Sequence, residues 1–373
     1  VCLPLMYSVQ FACAKVGLVS GMGLSGVIRR HYPRWLLYGA ISALIVANTI
    51  NAGADIGAIA AGFNLLLPIP IAAMIVPITL IILALQFWGS YRLIAMVFKW
   101  LALALLAYIA TAFLTHPDGG AVLRGTLVPA IHFDSAFLMM LVAILGTTIS
   151  PYLFFWQASQ EVEEEISLGR TRLWQRRGAT DAELRYAGWD VGIGMFFSNL
   201  VMYFIIFTTA ATLFAAGKTD IQSATDAAMA LEPLAGGAAK ALLAVGLIGT
   251  GFLAVPILTG SGAYALAEAA GWEYGLDRSL SRARPFYIVI AASTLVGMLI
   301  NFVGLNPITA LYWTAILNGL LTPPLLALIM LVTNNRKIMG ERVNGRALNL
   351  LAGATTLVMT VAAVALLATW AGA

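Results

Sequence analysis

A proline interrupts the long apolar run at 137–160, and polar side chains surround it. Pro151 has no N–H, and its ring clashes with the carbonyl of Thr147, so the helical hydrogen bond of that carbonyl is lost. An unpaired carbonyl in hydrocarbon costs on the order of several kcal/mol, so such breaks persist mainly inside protein or along polar cavities. Thr147, Thr148 and Ser150 add hydroxyl oxygens at this point. The stretch predicts a cation site of carbonyl and hydroxyl oxygens; the alternative is a proline kink whose hydroxyls bond back to the helix.

A second cluster of polar residues lies in an earlier apolar run, at 35–63. Asn48, Asn51 and Asp55 are spaced three and then four residues apart, which places them on one face of a helix. A carboxylate inside a bilayer costs on the order of several kcal/mol unless it is paired or hydrated, so Asp55 is interpreted as part of an ion or proton path. The alternative is that the two asparagines join neighbouring helices and Asp55 is a protonated packing residue.

Four further polar residues are weaker candidates for the same path. Tyr152 and Gln157 follow the proline break, where they either line the cytoplasmic exit or pack against other helices. Asn318 precedes a pair of prolines in a late apolar run. Asn199 is either part of the ligand path or a contact between helices.

The composition is that of a membrane protein with many spans. Of the 373 residues, 61% are hydrophobic and 10% are charged, and the mean hydropathy is +0.90. Soluble domains carry about 25% charged residues. The sequence has no H-E-x-x-H motif, no Walker loop and no basic, aromatic nucleic-acid surface, so an enzyme, an ATPase and a nucleic-acid-binding protein are not predicted. Uphill transport by this chain would therefore draw on an ion gradient.

Ten apolar runs are long enough to span a bilayer, at about 20 residues each. The odd-numbered connections between them hold sixteen Arg and Lys residues, whereas the even-numbered ones hold only Arg124, Lys218 and Lys240. The odd-numbered connections are therefore predicted to face the cytoplasm. Both chain ends then lie outside, which predicts one more span before Val1. The predicted spans are 3–27, 35–63, 70–87, 91–115, 137–160, 190–215, 237–270, 286–303, 308–332 and 348–371.

The number of spans also predicts an internal repeat. If a span before Val1 and the broken span at 137–160 are symmetry mates, each repeat has five spans, and the second copy is inverted relative to the first. Inverted repeats with discontinuous helices are the plan of many secondary transporters. The predicted fold is an all-α, LeuT/APC-like five-plus-five transporter in one transmembrane domain, 1–373. Its parts are the rest of the first repeat at 1–115, the second repeat at 137–332, an extra span at 348–371 and a cytoplasmic loop at 161–189.

Three stretches resemble the natural resistance-associated macrophage protein (Nramp) family of divalent metal transporters, in its bacterial Nramp-like branch. They are QFACAKVGLVSGMGLSGVIRRHYP at 10–33, ANTINAGADIGAIAAGFNLLL at 47–67 and LGTTISPYLFFWQASQEVEEE at 145–165. The resemblance covers nearly the whole chain, starting at the family's second span. It implies eleven spans, a cytoplasmic N-terminus, an external C-terminus and a five-plus-five inverted repeat.

The resemblance also implies roles for particular residues. The family's broken sixth span reads Ala-x-x-Met-Pro-His, in which the alanine carbonyl and the methionine sulfur bind metal and the histidine helps to carry protons. Those positions are Thr147, Ser150 and Tyr152 in this chain. The acidic residue of the family's third span falls on Asp55, whereas an aspartate common one turn earlier is replaced by Ala52. Loss of the soft sulfur removes a preference for Mn²⁺ and Fe²⁺ over Mg²⁺ and Ca²⁺.

The predicted function is secondary active import of divalent metal cations across the bacterial cytoplasmic membrane. The predicted cargo is of the Mn²⁺/Fe²⁺ class, with Mg²⁺ admitted because Ser150 replaces the methionine, and import is expected to be linked to protons. The cation is a substrate, so no cofactor is predicted, and no nucleic acid or obligatory protein partner is expected besides the lipid bilayer. Two alternatives remain: a symporter of amino acids or other organic solutes with the same fold, and a membrane scaffold or sensor that transports nothing.

Overall fold

The chain folds into a bundle of long apolar helices. The computed structural model describes residues 2–88, 100, 103–115, 119–128, 134–276, 278–304 and 306–371, and all the regular elements among them are helical. Nine helical segments in these ranges are long and apolar enough to cross a membrane. The predicted span at 91–115 lies largely outside the described residues. The helices are α1 Cys2–Ser20, α2 Leu24–His31, α3 Arg34–Leu66, α4 Ile71–Trp88, α5 Ala107–Leu114, α6 Gly119–Leu127, α7 Ser135–Thr148, α8 Pro151–Ser167, α9 Leu173–Arg176, α10 Asp181–Thr209, α11 Ala224–Ala228, α12 Glu232–Ala235, α13 Ala239–Ala270, α14 Arg284–Ile300, α15 Pro307–Thr333, α16 Arg336–Met339 and α17 Arg346–Ala371.

Three helix boundaries differ most from the prediction. The first predicted span, 3–27, divides into α1 and α2 at Gly21, whose φ of +67° suits glycine. Helix α10 begins at Asp181 instead of 190, because Thr180 and Glu183 form a capping box there. Helix α8 also continues to Ser167, so only 168–180 separates α8 from α10 within the segment predicted as a loop at 161–189.

Helix α3 is the packing centre of one half of the bundle. It contacts α4, α13, α14 and α15, and its small residues let their backbones come close. A methyl group added at Gly53 would lie 2.5 Å from the carbonyl oxygen of Gly297 on α14. This close approach fixes the depth at which the polar face of α3 lies in the bundle.

The break predicted at Pro151 separates α7 from α8. Asp134 caps the start of α7 by accepting a hydrogen bond from the Phe137 N–H at 2.9 Å, and Ile149 ends it with φ −113° and ψ 68°. Helix α7 packs directly on the backbone of α15, since a methyl group added at Gly319 would lie 2.5 Å from the Val142 carbonyl oxygen. The helix that leads into the break is therefore fixed in place by its contact with α15.

The connections rich in arginine meet at one end of the bundle. The guanidinium of Arg176, in the connection before α10, donates to the Gly21 carbonyl at 3.3 Å. Arg342, in the connection before α17, forms an ion pair with Asp181 at the start of α10. Lys15 of α1 is buried at this end and donates to the Val343 carbonyl at 3.0 Å. The common end agrees with the charge pattern, and its assignment to the cytoplasm stays a prediction.

Candidate cation site

A cavity of about 280 Å³ lies beside the break between α7 and α8. Five helices line it: α3, α7, α8, α13 and α15, with Ser150 at the break itself. The cavity brings together six residues that the sequence singled out, from segments more than 250 positions apart. These are Asn51, Asp55, Thr147, Ser150, Tyr152 and Asn318, and the other lining residues are Ala254, Leu258, Leu311, Thr314 and Ala315.

Five polar side chains face this cavity without protein partners. Within the described part of the chain, no hydrogen bond or ion pair is formed by the side chains of Asn51, Asp55, Thr147, Tyr152 and Asn318. Thr147 is exposed and Asn318 is buried, whereas the other three side chains are half-buried, so the group is open to the cavity and not sealed inside the protein. A cation or water in the cavity would satisfy all of them together.

The position of Asp55 follows from the pitch of α3. Asp55 lies four residues after Asn51, so both side chains project from one face of this helix. Asp55 carries the one carboxyl group among the residues that line the cavity, and no Lys or Arg lines it. The cavity therefore attracts positive charge.

The Ser150 side chain forms hydrogen bonds to backbone carbonyls at the break. Its hydroxyl oxygen lies 2.7 Å from the Gly146 carbonyl oxygen and 3.1 Å from that of Thr147, so the hydroxyl donates to the two carbonyls that the break releases. Thr148 bonds back in the same way, to the Ile144 carbonyl at 2.8 Å, and does not line the cavity. The back-bonded kink considered as an alternative is thus present in the geometry, and it coexists with the cavity.

Helix α15 contributes a face that the sequence revealed only in part. Leu311, Thr314, Ala315 and Asn318 follow the spacing of one helical face, and all four line the cavity. The Thr314 hydroxyl donates to the Leu311 carbonyl at 2.9 Å, which leaves its oxygen lone pairs available. Thr314 was not predicted, although its position four residues before Asn318 is the signal that identifies it.

Three predicted residues lie elsewhere. Asn48 is buried between α3 and α13, where its amide donates to the Leu258 carbonyl at 2.9 Å and to the Ser261 hydroxyl at 2.8 Å. The Asn199 amide donates to the Met195 carbonyl of its own helix, α10, at 2.8 Å and to the Met6 sulfur of α1 at 3.0 Å, so it too joins two helices. Gln157 donates to Glu161 one turn later on α8, at 2.9 Å. Asn48 acts as the contact between helices considered as its alternative, and it holds a segment of α13 that lines the cavity.

The available ligand atoms are all oxygens. Besides the Asp55 carboxylate, the lining offers amide oxygens from Asn51 and Asn318, hydroxyls from Thr147, Thr314 and other side chains, and the Thr147 carbonyl. No group of three His, Cys, Asp or Glu side chains that could hold a metal occurs among the residues described. One carboxylate with neutral oxygens suits a hard divalent cation that keeps part of its water shell better than a tightly held structural metal.

Comparison with known proteins gives consistent matches along the chain. The sequence profile of the family described as natural resistance-associated macrophage protein-like (Nramp) matches residues 1–369. The divalent metal cation transporter MntH of Klebsiella pneumoniae is 26% identical over 344 residues, which cover 91% of this chain and 77% of that protein. A crystal structure of the Eremococcus coleocola manganese transporter with an aromatic bis-isothiourea compound superposes with a TM-score of 0.71, at 18% identity over 96% of this chain and 76% of that one. A single-residue variant of the same transporter gives a TM-score of 0.69 at 19% identity.

The structural similarity establishes the fold. A TM-score near 0.7 over almost the whole chain confirms the predicted fold class, an all-α membrane protein of the LeuT/APC-like transporter type. At 18–19% identity it leaves open which side chains bind a substrate.

Proposed function

The chain belongs to the Nramp family of membrane transporters, whose profile matches residues 1–369, and from this premise we propose that it imports divalent metal cations through the cavity at Asp55. Members of this family are transporters and not enzymes. The chain has no ATP-binding motif, so an ion gradient supplies the driving force in this proposal. The cation is the substrate and binds only transiently.

The cavity itself carries the proposal. It joins the one carboxylate of its lining to four neutral polar side chains that have no partner in the described structure. These groups lie beside a broken helix, and transporters of this general plan bind their substrates at such breaks. Polar groups that serve as contacts between helices bond to one another or to backbone, whereas these five side chains remain open to the cavity.

Asp55 and Thr147 have the leading roles in the proposed site. Asp55 supplies the negative charge. Ser150 lies closer to the Gly146 carbonyl, at 2.7 Å, than to the Thr147 carbonyl, at 3.1 Å. The two carbonyls share the one hydrogen of this hydroxyl, so a lone pair of the Thr147 carbonyl and the lone pairs of the Ser150 hydroxyl remain available to a cation.

Neutral amides and hydroxyls complete the proposed coordination. Asn51 contributes from α3 and Asn318 from α15, so that the cation is held between these two helices and the break. The lining has no sulfur or imidazole ligand. We therefore expect Mn²⁺ and Fe²⁺ to be carried, and Mg²⁺ to compete with them more strongly than at a site with a thioether.

Asp55 also links the proposed import to protons. A carboxylate that alternates between binding a cation and binding a proton couples the two movements. The Tyr152 hydroxyl lies in the same cavity and is the other titratable group of the lining, so it is the candidate to pass the proton on. Asn51 continues this face of α3 one turn toward the Arg-rich end, which we assign to the cytoplasmic side of a bacterial inner membrane.

The competing proposal, a symporter of amino acids, is not favoured by the charge in the cavity. A zwitterionic amino acid needs a partner for each of its charges: Asp55 could take the ammonium, but no Lys or Arg lines the cavity to take the carboxylate. A divalent cation needs only the negative charge and the oxygen atoms that this lining offers.

Metal uptake into proteoliposomes tests the proposal. The full-length protein would be reconstituted with a metal-sensitive dye inside, and Mn²⁺, Fe²⁺, Co²⁺ and Mg²⁺ added outside, with and without an inward proton gradient. We expect saturable uptake of at least one cation, accelerated by the gradient and accompanied by internal acidification. Absence of saturable flux for all four cations would refute import, and flux that ignores the gradient and carries no protons would refute the coupling.

A further inference from the structure

Thr322 of α15 connects two parts of the cavity without lining it. Its side chain is fully buried, with 0% exposure. The hydroxyl oxygen lies 2.9 Å from the Ile149 carbonyl oxygen at the break and 2.6 Å from the Asn318 carbonyl oxygen one turn earlier on α15. One hydroxyl therefore joins the broken helix to the turn of α15 that presents the Asn318 amide.

The Ile149 carbonyl depends on this contact. In a continuous helix its partner would be the Leu153 N–H, but that N–H bonds to the Ser150 carbonyl instead, at 3.1 Å. The Thr322 hydroxyl is the hydrogen-bond donor that the described structure provides for the Ile149 carbonyl. A hydroxyl at this position is therefore needed to satisfy a carbonyl released by the break.

The packing of α7 on α15 determines what the hydrogen bond from Thr322 to Ile149 can fix. Gly319 lets α7 lie against α15 with backbones in contact, which sets the distance between the two helices. The contact through Thr322 then sets how the end of α7 lies along α15, because it acts at the last residue before the break. Without the hydroxyl, the Thr147 carbonyl and the Asn318 amide could move apart while the helices remained packed.

We propose that Thr322 is a positioning residue for cation binding, which holds the α7–α8 break and the Asn318 turn of α15 at the separation a cation requires. The inference rests on the proposed function, since it concerns the affinity of the same site. Thr322 touches no cation in this mechanism and acts only through Ile149 and Asn318.

The test compares Thr322→Val, which keeps the shape and removes the hydroxyl, with Thr322→Ser, which keeps the hydroxyl. In proteoliposome uptake of Mn²⁺ and Mg²⁺, we expect Thr322→Val to raise KM about tenfold with Vmax changed less than twofold. Thr322→Ser should restore KM to within about twofold of wild type. Stabilisation of the purified protein by added Mn²⁺ in a thermal-unfolding assay should weaken in parallel.

A matched control separates positioning from stability. Thr294 of α14 is equally buried, and its hydroxyl bonds only to the Ile290 carbonyl of its own helix, at 2.8 Å, so Thr294→Val should leave KM unchanged. If Thr322→Val does not fold, Thr322→Ala removes the same hydroxyl and leaves room for a water molecule. Wild-type uptake together with an unchanged KM in the hydroxyl-free variant would overturn this inference alone, whereas absent wild-type uptake would overturn the proposed function.

Discussion

Replacement of Asp55 by asparagine tests the charge of the cavity most directly. The change keeps the shape and one oxygen ligand, and it removes the one carboxylate in the lining. Two unit charges about 4 Å apart interact by about 4 kcal/mol at an effective dielectric constant of 20, and a divalent cation doubles that figure. The cost of desolvating the carboxylate and the retained amide oxygen offset part of this. We therefore expect a net loss of roughly 3 kcal/mol, which corresponds to a rise of about 150-fold in Kd.

The assay measures cation affinity and uptake in the same preparations. Kd for Mn²⁺ comes from calorimetry in detergent, and KM comes from proteoliposome uptake. Asp190→Asn is the matched control, because this aspartate lies on a spanning helix, α10, outside the cavity. A second variant, Asp55→Asn with Asn51→Asp, moves the carboxylate one turn along the same face of α3 and should recover part of the affinity.

Two results would refute this reasoning. If Asp55→Asn binds and transports Mn²⁺ with wild-type constants, the carboxylate is a packing group and the cavity is not a cation site. If Asp190→Asn weakens binding as much as Asp55→Asn does, the effect comes from the overall charge of the protein and not from a ligand. If the double variant Asp55→Asn with Asn51→Asp regains Mn²⁺ affinity, the loss in Asp55→Asn does not come from a general folding defect.

Three further predictions concern selectivity, packing and pH. Ser150→Met should raise the affinity for Cd²⁺ relative to Mg²⁺ in uptake competition, because sulfur is a softer ligand; Ser150→Ala is the control, and an equal ratio in both variants would count against a ligand at this position. Gly319→Ala, which places a methyl group 2.5 Å from the Val142 carbonyl, should destabilise the protein by about 1–3 kcal/mol in chemical unfolding, and an unchanged unfolding midpoint would contradict the close contact. The pKa of Asp226 is lowered to about 2, mainly by the hydrogen bond from the Lys218 ammonium. The ionised carboxylate therefore stabilises α11 fully above about pH 4, and this stabilisation is lost as the pH falls through about 2. Hydrogen-exchange protection of 224–228 should show this loss in wild type and not in Asp226→Asn.

Much of the fold was predictable because membrane burial leaves a strong pattern in sequence. Apolar length located the spans, and the missing N–H of Pro151 located the break between α7 and α8. The Nramp resemblance is confirmed by the family profile, and the predicted fold class by the structural matches. The predicted span at 91–115 and the inside–outside orientation remain predictions.

The limits of prediction are clearest on α3. Asn48, Asn51 and Asp55 share a helical face, yet Asn51 and Asp55 reach the cavity while Asn48 bonds to α13. The spacing of residues along a helix predicts which side chains project in the same direction. It does not predict which neighbouring helix each of these side chains contacts. Asn48 bonds to α13 because the Leu258 carbonyl lies within hydrogen-bonding distance of its amide.

Thr314 and Thr322 were missed for a different reason. Threonine in an apolar helix usually bonds back to its own backbone, and both residues do so, at Leu311 and at Asn318. Nothing local distinguishes them from other threonines in the spans. Their significance arises from the helix they face, and that information is present only in the packing.

Ser150 shows how one residue can satisfy two interpretations that the sequence presents as alternatives. A hydroxyl has one hydrogen and two lone pairs, so a serine that bonds back to Gly146 still has oxygen lone pairs to offer. The released carbonyls are shared among separate donors, with Ser150 serving Gly146 and Thr147, and Thr322 serving Ile149. Each donor stabilises the break without filling the cavity beside it. The break is therefore stable in its own right, which lets the unpaired groups around Asp55 remain available for a substrate that arrives and leaves.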